Sequence, residues 1–334
     1  MHLPSEILIV KLSSLGDVLQ SLPVVDYLHA QYPHAAIDWA VESPWQDVVS
    51  AHPGVRRVLP MDVRSLSFYL SVKKLRSLQY DMVFDLQGNC KSGLVTALAR
   101  SKHKIGFGRQ SVREWPNLLT THHHYEVFKG QNIRLQYIDL VKQHCRSDLP
   151  FAFSKWKFPL KEIEKSSLDR ILMGLDTQKT WIMVCPGSRW NNKQLSFSQW
   201  LSLLMDKQND SSSLFFLVWG SEKERVLCQN LAKALEDSVV VDKLSLASWQ
   251  NLMWEMDLLL AVDSAALHLC ATTDTASVSF FGPTSSTVFM PLGEDHRSIQ
   301  GQCPYHCQFI KQCPKLRNCP TGDCIKQSIL IDRN

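Results

Sequence analysis

No stretch of the 334 residues approaches the run of about 18 uninterrupted apolar side chains that a membrane-spanning helix needs. The opening "MHLPSEILIVKL" lacks a basic n-region, and its apolar run is shorter than a secretory signal requires, so a cytoplasmic chain is expected. Net charge is slight: 36 Lys and Arg against 32 Asp and Glu leave a formal +4, too little to point to nucleic acid by itself. No GxxxxGK[ST] loop occurs, which argues against P-loop phosphoryl transfer. "GFGRQS" (residues 106–111) lacks the third glycine of a dinucleotide fingerprint, which counts against a nicotinamide enzyme. No two aspartates are separated by a single residue, so the acidic pair that bridges a metal in metal-dependent sugar transferases is missing. Long repeats and low-complexity tracts are missing too.

What is present is ordinary for a folded soluble chain, with 45% apolar and 20% charged residues and room for two domains of about 150 residues. Short β-branched apolar runs alternate with longer amphipathic stretches, the pattern of βα units and parallel sheets. In the first half the strands read "ILIVKL", "IDWAV", "RRVLP" and "DMVFDL", with helices in "PVVDYLHAQY" and "KSGLVTALAR". Near Leu149 the alternation breaks at "LPFAFSKWKFPLKEIEKSS", an interdomain connection leading into a helix. It restarts with "WIMVC", "LFFLVWG", "SVVVD", "DLLLAVD" and "ASVSFFG". The expected fold class is α/β: two doubly wound Rossmann-like domains facing a central cleft, with ligands at the carboxyl ends of the strands. Expected boundaries are 1–155, 156–302 and a cysteine-rich tail over 303–334.

Four loops carry the candidate chemistry. In "VKLSSLGDVLQSLP" (residues 10–23), Gly16 permits a tight turn and Asp17 is either a general base or the cap of a helix. In "CPGSRWNNK" (residues 185–193), Gly187, Ser188, Arg189 and Lys193 combine backbone approach, a hydroxyl and two cations, which suits a diphosphate unless the loop is ordinary basic surface. In "AVDSAALHL" (residues 261–269), Asp263 and Ser264 end a strand and open a helix whose start favours an anion, with His268 one turn in, a place more often taken by a core histidine. In "VWGSEKE", Glu222 either holds a ribose or starts a helix. Basic residues gather in "RSKHKIGFGRQSVR", with Lys91 upstream, and are either a face for an anionic acceptor or a solvated surface. The neighbouring "HHHY" (residues 122–125) makes poor joint metal ligands, because consecutive side chains point different ways.

Together these loops resemble those of the lipopolysaccharide heptosyltransferases of glycosyltransferase family 9, most of all the members that add the first heptose to the Kdo–lipid A inner core. The matching stretches run from "ILIVKLSSLGDVLQSLP" through "IDWAVE", "FDLQGNCKSG" and "IGFGRQSVRE" to "PGSRWNNK", "VDSAALHL" and "FGPTS". The resemblance implies a GT-B fold, an ADP-activated heptose donor held mainly by the C-terminal domain, an acceptor held by the N-terminal one, and metal-independent inversion at the anomeric carbon. It makes Asp17 the catalytic base and Lys193 a diphosphate contact. Ser188, Arg189, Glu222, Asp263, Ser264 and His268 would line the donor site, and Arg64, Lys91 and Arg113 would face the anionic lipid A/Kdo acceptor. Peripheral contact with the inner face of the cytoplasmic membrane follows from such an acceptor; no nucleic-acid partner and no cofactor are implied. The chain departs from the family pattern at Ala265, Gln194, Leu195, Asn132 and Gln136. A heptosyltransferase acting on an already heptosylated core, a nucleotide-sugar 2-epimerase and a non-catalytic nucleotide-binding module are the alternatives.

Of the ten cysteines, Cys90, Cys145, Cys185, Cys228 and Cys270 are scattered at core-like positions, as expected of reduced thiols. Cys303, Cys307, Cys313, Cys319 and Cys324 crowd the tail at spacings unlike a CxxC…CxxC zinc site. Packing thiols, a structural metal clip and disulfides remain open readings.

Overall fold

A computed structural model describes residues 3–210, 212–319 and 321–331. The chain divides into two compact units, Met1–Trp156 and Lys157–Asn334.

The first unit is built on six parallel strands: β1 (Glu6–Val10), β2 (Ala36–Val41), β3 (Arg57–Pro60), β4 (Met82–Asp85), β5 (His103–Phe107) and β6 (His123–Tyr125), in the order β3-β2-β1-β4-β5-β6. Parallel sheets are covered by helices on both faces, so their central strands are apolar throughout and do not alternate. Ile7, Leu8, Ile9 and Val10 of β1 are accordingly all fully buried. Helix Pro23–Gln31 carries its proline in the first turn, where the missing N–H has no partner to lose.

The second unit repeats the plan with β7 (Thr180–Cys185), β8 (Ser213–Leu217), β9 (Ser238–Val240), β10 (Leu258–Val262), β11 (Ala276–Phe281) and β12 (His296–Gln300), ordered β12-β11-β10-β7-β8-β9. Each sheet therefore runs third, second, first, fourth, fifth, sixth. In each, the strand order reverses beside the first strand, between β1 and β4 and between β7 and β10. Crevices that take ligands in open α/β sheets form at such reversals, outside the carboxyl ends of the strands.

The described part of the cysteine-rich segment adds to the second unit's core. Helix Asp323–Ile331 lies against β11 and β12, and Ile325 is fully buried among Phe280, Leu260 and Trp200. A side chain in place of the hydrogen of Gly282 would strike Ile325, so that close approach requires glycine. Residues 320 and 332–334 of the expected tail lie outside the described residues.

Candidate active site

In the first unit the chain leaves β1 at Lys11 and enters helix Leu15–Ser21, so Asp17 stands in that helix's first turn at the strand reversal. Its carboxylate accepts bonds from the Ser14 backbone N–H (3.2 Å) and the Ser14 hydroxyl (3.0 Å), the geometry of a helix cap. The expectation that Gly16 forms a tight turn is corrected: Gly16 is the second residue of the same helix, because Ser14 already ends the extended segment. The segment before the helix is tied across to the end of β4. Gln87 accepts from the N–H groups of Leu12 (2.7 Å) and Ser13 (3.1 Å). Buried Asp85 in turn receives Gln87 N–H, Gly88 N–H, Thr96 Oγ1 and Asn117 Nδ2.

Beneath this loop lies Lys11, only 3% exposed, whose Nζ donates to Leu86 O (3.2 Å) and Tyr137 Oη (2.9 Å). Burial pushes its ammonium below the ordinary lysine value, and Arg113 pushes the same way. Asp17 and Asp85 pull against them. The same burial, reinforced by Asp17, drives the Tyr137 hydroxyl well upward. Asp17 thus lies close enough to buried Lys11 and Tyr137 for its charge to act on both.

In the second unit the loop after β7 meets the end of β10. Lys193 Nζ lies 2.6 Å from Asp263 Oδ2, and Thr284 Oγ1 donates to the same oxygen at 2.5 Å. Ser188 Oγ donates to Asp263 O (3.2 Å), and Gln194 Nε2 donates to Ser188 O. Burial raises the Asp263 carboxyl, but the charges of Lys193 and His268 and the two donated bonds outweigh it and hold the group below its ordinary value. Ser264 starts helix Ala265–Cys270, and His268, buried, is on that helix. Arg189 stacks over Trp190, with Arg317 also over this ring. Glu222 opens helix Glu222–Ala232 and pairs with Arg225 at 3.3 Å. Beside it Glu224 accepts from Gly220 N–H and Ser221 N–H and lies against Gly187, where any side chain would collide with its carboxylate. The second unit therefore gathers Ser188, Lys193, Asp263 and His268 at its reversal, with Gly187 at the foot of the loop.

The residues expected to face an acceptor are less united. Lys91 Nζ is paired with Glu42 at 3.1 Å, Arg113 reaches Gly88 O through its backbone N–H, and Arg64 is exposed in the segment before helix Phe68–Arg76. Sequence reasoning missed Gln87, Tyr137 and Glu224. Each sits in or beside a stretch that drew attention for another residue, yet none belongs to a chemistry-bearing pattern of its own.

The "HHHY" stretch contains β6. There His123 stacks on His103 and packs against His144, whose ring is pushed down to about 4 by burial and then by those two neighbours. All ten cysteines carry free thiols, with Cys307 and Cys313 sulfurs 3.4 Å apart. Among the described residues no three His, Cys, Asp or Glu side chains are arranged to hold a metal ion, and no helix is long and apolar enough to cross a membrane.

Two doubly wound units of identical strand order, each with polar groups at its reversal, have the architecture of the GT-B fold. The model of glycosyltransferase family 9 (heptosyltransferase) matches residues 70–317, and the chain belongs to that family. It is 29% identical to lipopolysaccharide heptosyltransferase 1 of Pseudomonas aeruginosa over 84% of this chain and 79% of that one. It is 24% identical to lipopolysaccharide heptosyltransferase 2 of Salmonella typhimurium over 97% and 94%. The solved structure of E. coli heptosyltransferase WaaC with ADP superposes with a TM-score of 0.73 at 23% identity, covering 98% of this chain and 99% of that one.

Proposed function

We propose that the chain transfers a heptose from ADP-heptose to the Kdo region of the lipopolysaccharide inner core, with inversion at the anomeric carbon. The observations that support this reading are the pairing of Lys193 with Asp263 at one strand reversal and Asp17 near buried Lys11 at the other, in a chain of this family. The higher identity to a heptosyltransferase 1 than to a heptosyltransferase 2 supports a first-heptose acceptor.

In this reading Asp17 takes the proton of an acceptor hydroxyl as its oxygen attacks the anomeric carbon, and ADP departs from the opposite face. Negative charge grows on the leaving diphosphate. Lys193 and Arg189, with the N–H groups at the start of helix Ala265–Cys270, stabilise that charge without having to reorient. Asp263 holds Lys193 in place, and Ser188, Ser264, His268 and Glu222 complete the donor site. Gly187 lets the loop lie close to the nucleotide. Arg64, Lys91 and Arg113 receive the anionic acceptor, which brings the protein to a membrane surface as a peripheral visitor.

The test is a transfer assay with ADP-heptose and Kdo–lipid A, run beside one with heptosylated core. Product from the first acceptor alone is expected. Product from the second alone would move the chain to the later step, and release of free sugar with neither would remove the transferase reading.

A further inference from the structure

We propose that the outer face of helix Phe68–Arg76, with Leu66 just before it, is the surface by which this protein docks on an anionic lipid bilayer. The inference rests on the acceptor reading above and names the part of the molecule that would meet the membrane. The helix is anchored from one side: Leu75 is fully buried in the first unit's core and Phe68 packs against the same cluster. The opposite side is largely exposed. Leu66 is 99% exposed, Tyr69 74% and Leu70 67%, and Lys73, Lys74 and Arg76 follow on the exposed side. Within the helix, positions 69, 70, 73 and 74 fall on one side, so the apolar and cationic groups share a face, and Leu66 stands exposed just before it.

Charge argues for the occupant. From residue 63 to residue 80 the chain carries Arg64, Lys73, Lys74 and Arg76 and no acidic residue at all. Three large apolar side chains beside unopposed cations match an interfacial helix, whose apolar face enters the headgroup boundary while its lysines meet anionic lipid. A protein partner fits less well, because lysine is depleted from protein–protein interfaces. Arg64, proposed above as an acceptor contact, stands at the start of this face, so docking here would bring a lipid-borne sugar to the residue meant to receive it.

The experiment is co-sedimentation of the full chain with phosphatidylcholine vesicles containing or lacking phosphatidylglycerol, at low and high salt. Binding is expected only with the anionic lipid and is expected to weaken with salt. Each cation near such a surface is worth about fivefold in partitioning, so Lys73→Gln/Lys74→Gln should weaken binding roughly 25-fold. Leu66→Ser/Leu70→Ser should weaken it as well, and because these side chains are exposed, thermal unfolding should not shift. Vesicle binding that both variants retain would overturn the proposal. So would wild-type protein that ignores vesicles and instead self-associates through Leu66 and Leu70 in sedimentation velocity. Turnover of a deacylated, water-soluble acceptor should be equal in wild type and variants. If no variant and no wild type turns it over, the transferase reading fails while the vesicle result still stands.

Discussion

The Nζ of Lys193 and the Oδ2 of Asp263 lie 2.6 Å apart, joining the loop after β7 to the end of β10 in a largely buried ion pair. Removing one partner of such a pair leaves the other uncompensated. Asp263→Asn should therefore cost roughly 3 kcal/mol at neutral pH, the low end of the usual range because Lys193 keeps some contact with water. The cost should depend on pH with a definite sign. A carboxyl held below its unfolded value adds stability that is complete above about pH 4 and disappears as pH falls through the lower folded value. Urea unfolding of wild type and variant from pH 7 down to pH 3 should show the two curves converging on the acid side. A constant gap would mean that the ion pair is not the source.

His144 offers a second pH signature, in the other unit. Its ring is lowered from 6.5 to about 4 by burial and by His123 and His103, so between those values the unfolded chain binds a proton that the folded chain does not. Stability should fall as pH drops through this window. His144→Phe, which keeps the edge contact with Phe84, should flatten the fall. Proton NMR titration of the His144 ring would check the cause directly, and an ordinary midpoint would refute it.

How far the sequence reveals this molecule depends on burial. Strands β1, β4, β7 and β10 read clearly because both their faces are covered and nearly every residue is apolar. Strand β6 is His123–Tyr125 at the sheet edge, three residues with no aliphatic side chain to mark it. Helix Phe68–Arg76 is hidden for the opposite reason: Tyr69 and Leu70 point outward and blur the period that would announce it. At the site, Asp17 and Asp263 are legible because they follow apolar runs at strand ends. Tyr137 is not, since it reaches Lys11 from 126 residues away, and only the folded sheet brings the two together.

Gly187 should resist substitution for a steric reason. An added Cβ would sit 2.2 Å from Glu224 Oε1, whose carboxylate already binds the N–H groups of Gly220 and Ser221. Gly187→Ala must push this carboxylate away and uncap helix Glu222–Ala232, a loss of about 1 kcal/mol for the cap. Calorimetry should show a lower melting temperature, and ADP binding by titration calorimetry should weaken alongside it. The double change Gly187→Ala/Glu224→Ala should recover none of the cap but should relieve the collision. Its ADP affinity should therefore exceed that of Gly187→Ala alone.

Asp17 is at once a helix cap and the proposed base, and the two roles can be separated by moving the cap's other half. Ser14→Ala removes the hydroxyl that donates to Asp17 and leaves the carboxylate in place. It should cost about 1 kcal/mol of stability and little turnover. Asp17→Asn keeps an oxygen that can accept from the Ser14 N–H yet cannot take a proton, so stability should change modestly while transfer falls roughly 10²- to 10⁴-fold. ADP affinity should be unchanged in both, since the nucleotide is assigned to the second unit. Lys193→Ala should differ in losing ADP affinity as well as transfer rate. Steady-state transfer rates, ADP titrations and urea midpoints on the three variants form one comparison. If Ser14→Ala and Asp17→Asn lose turnover in proportion to stability, Asp17 is a cap alone and the proton must leave by another group.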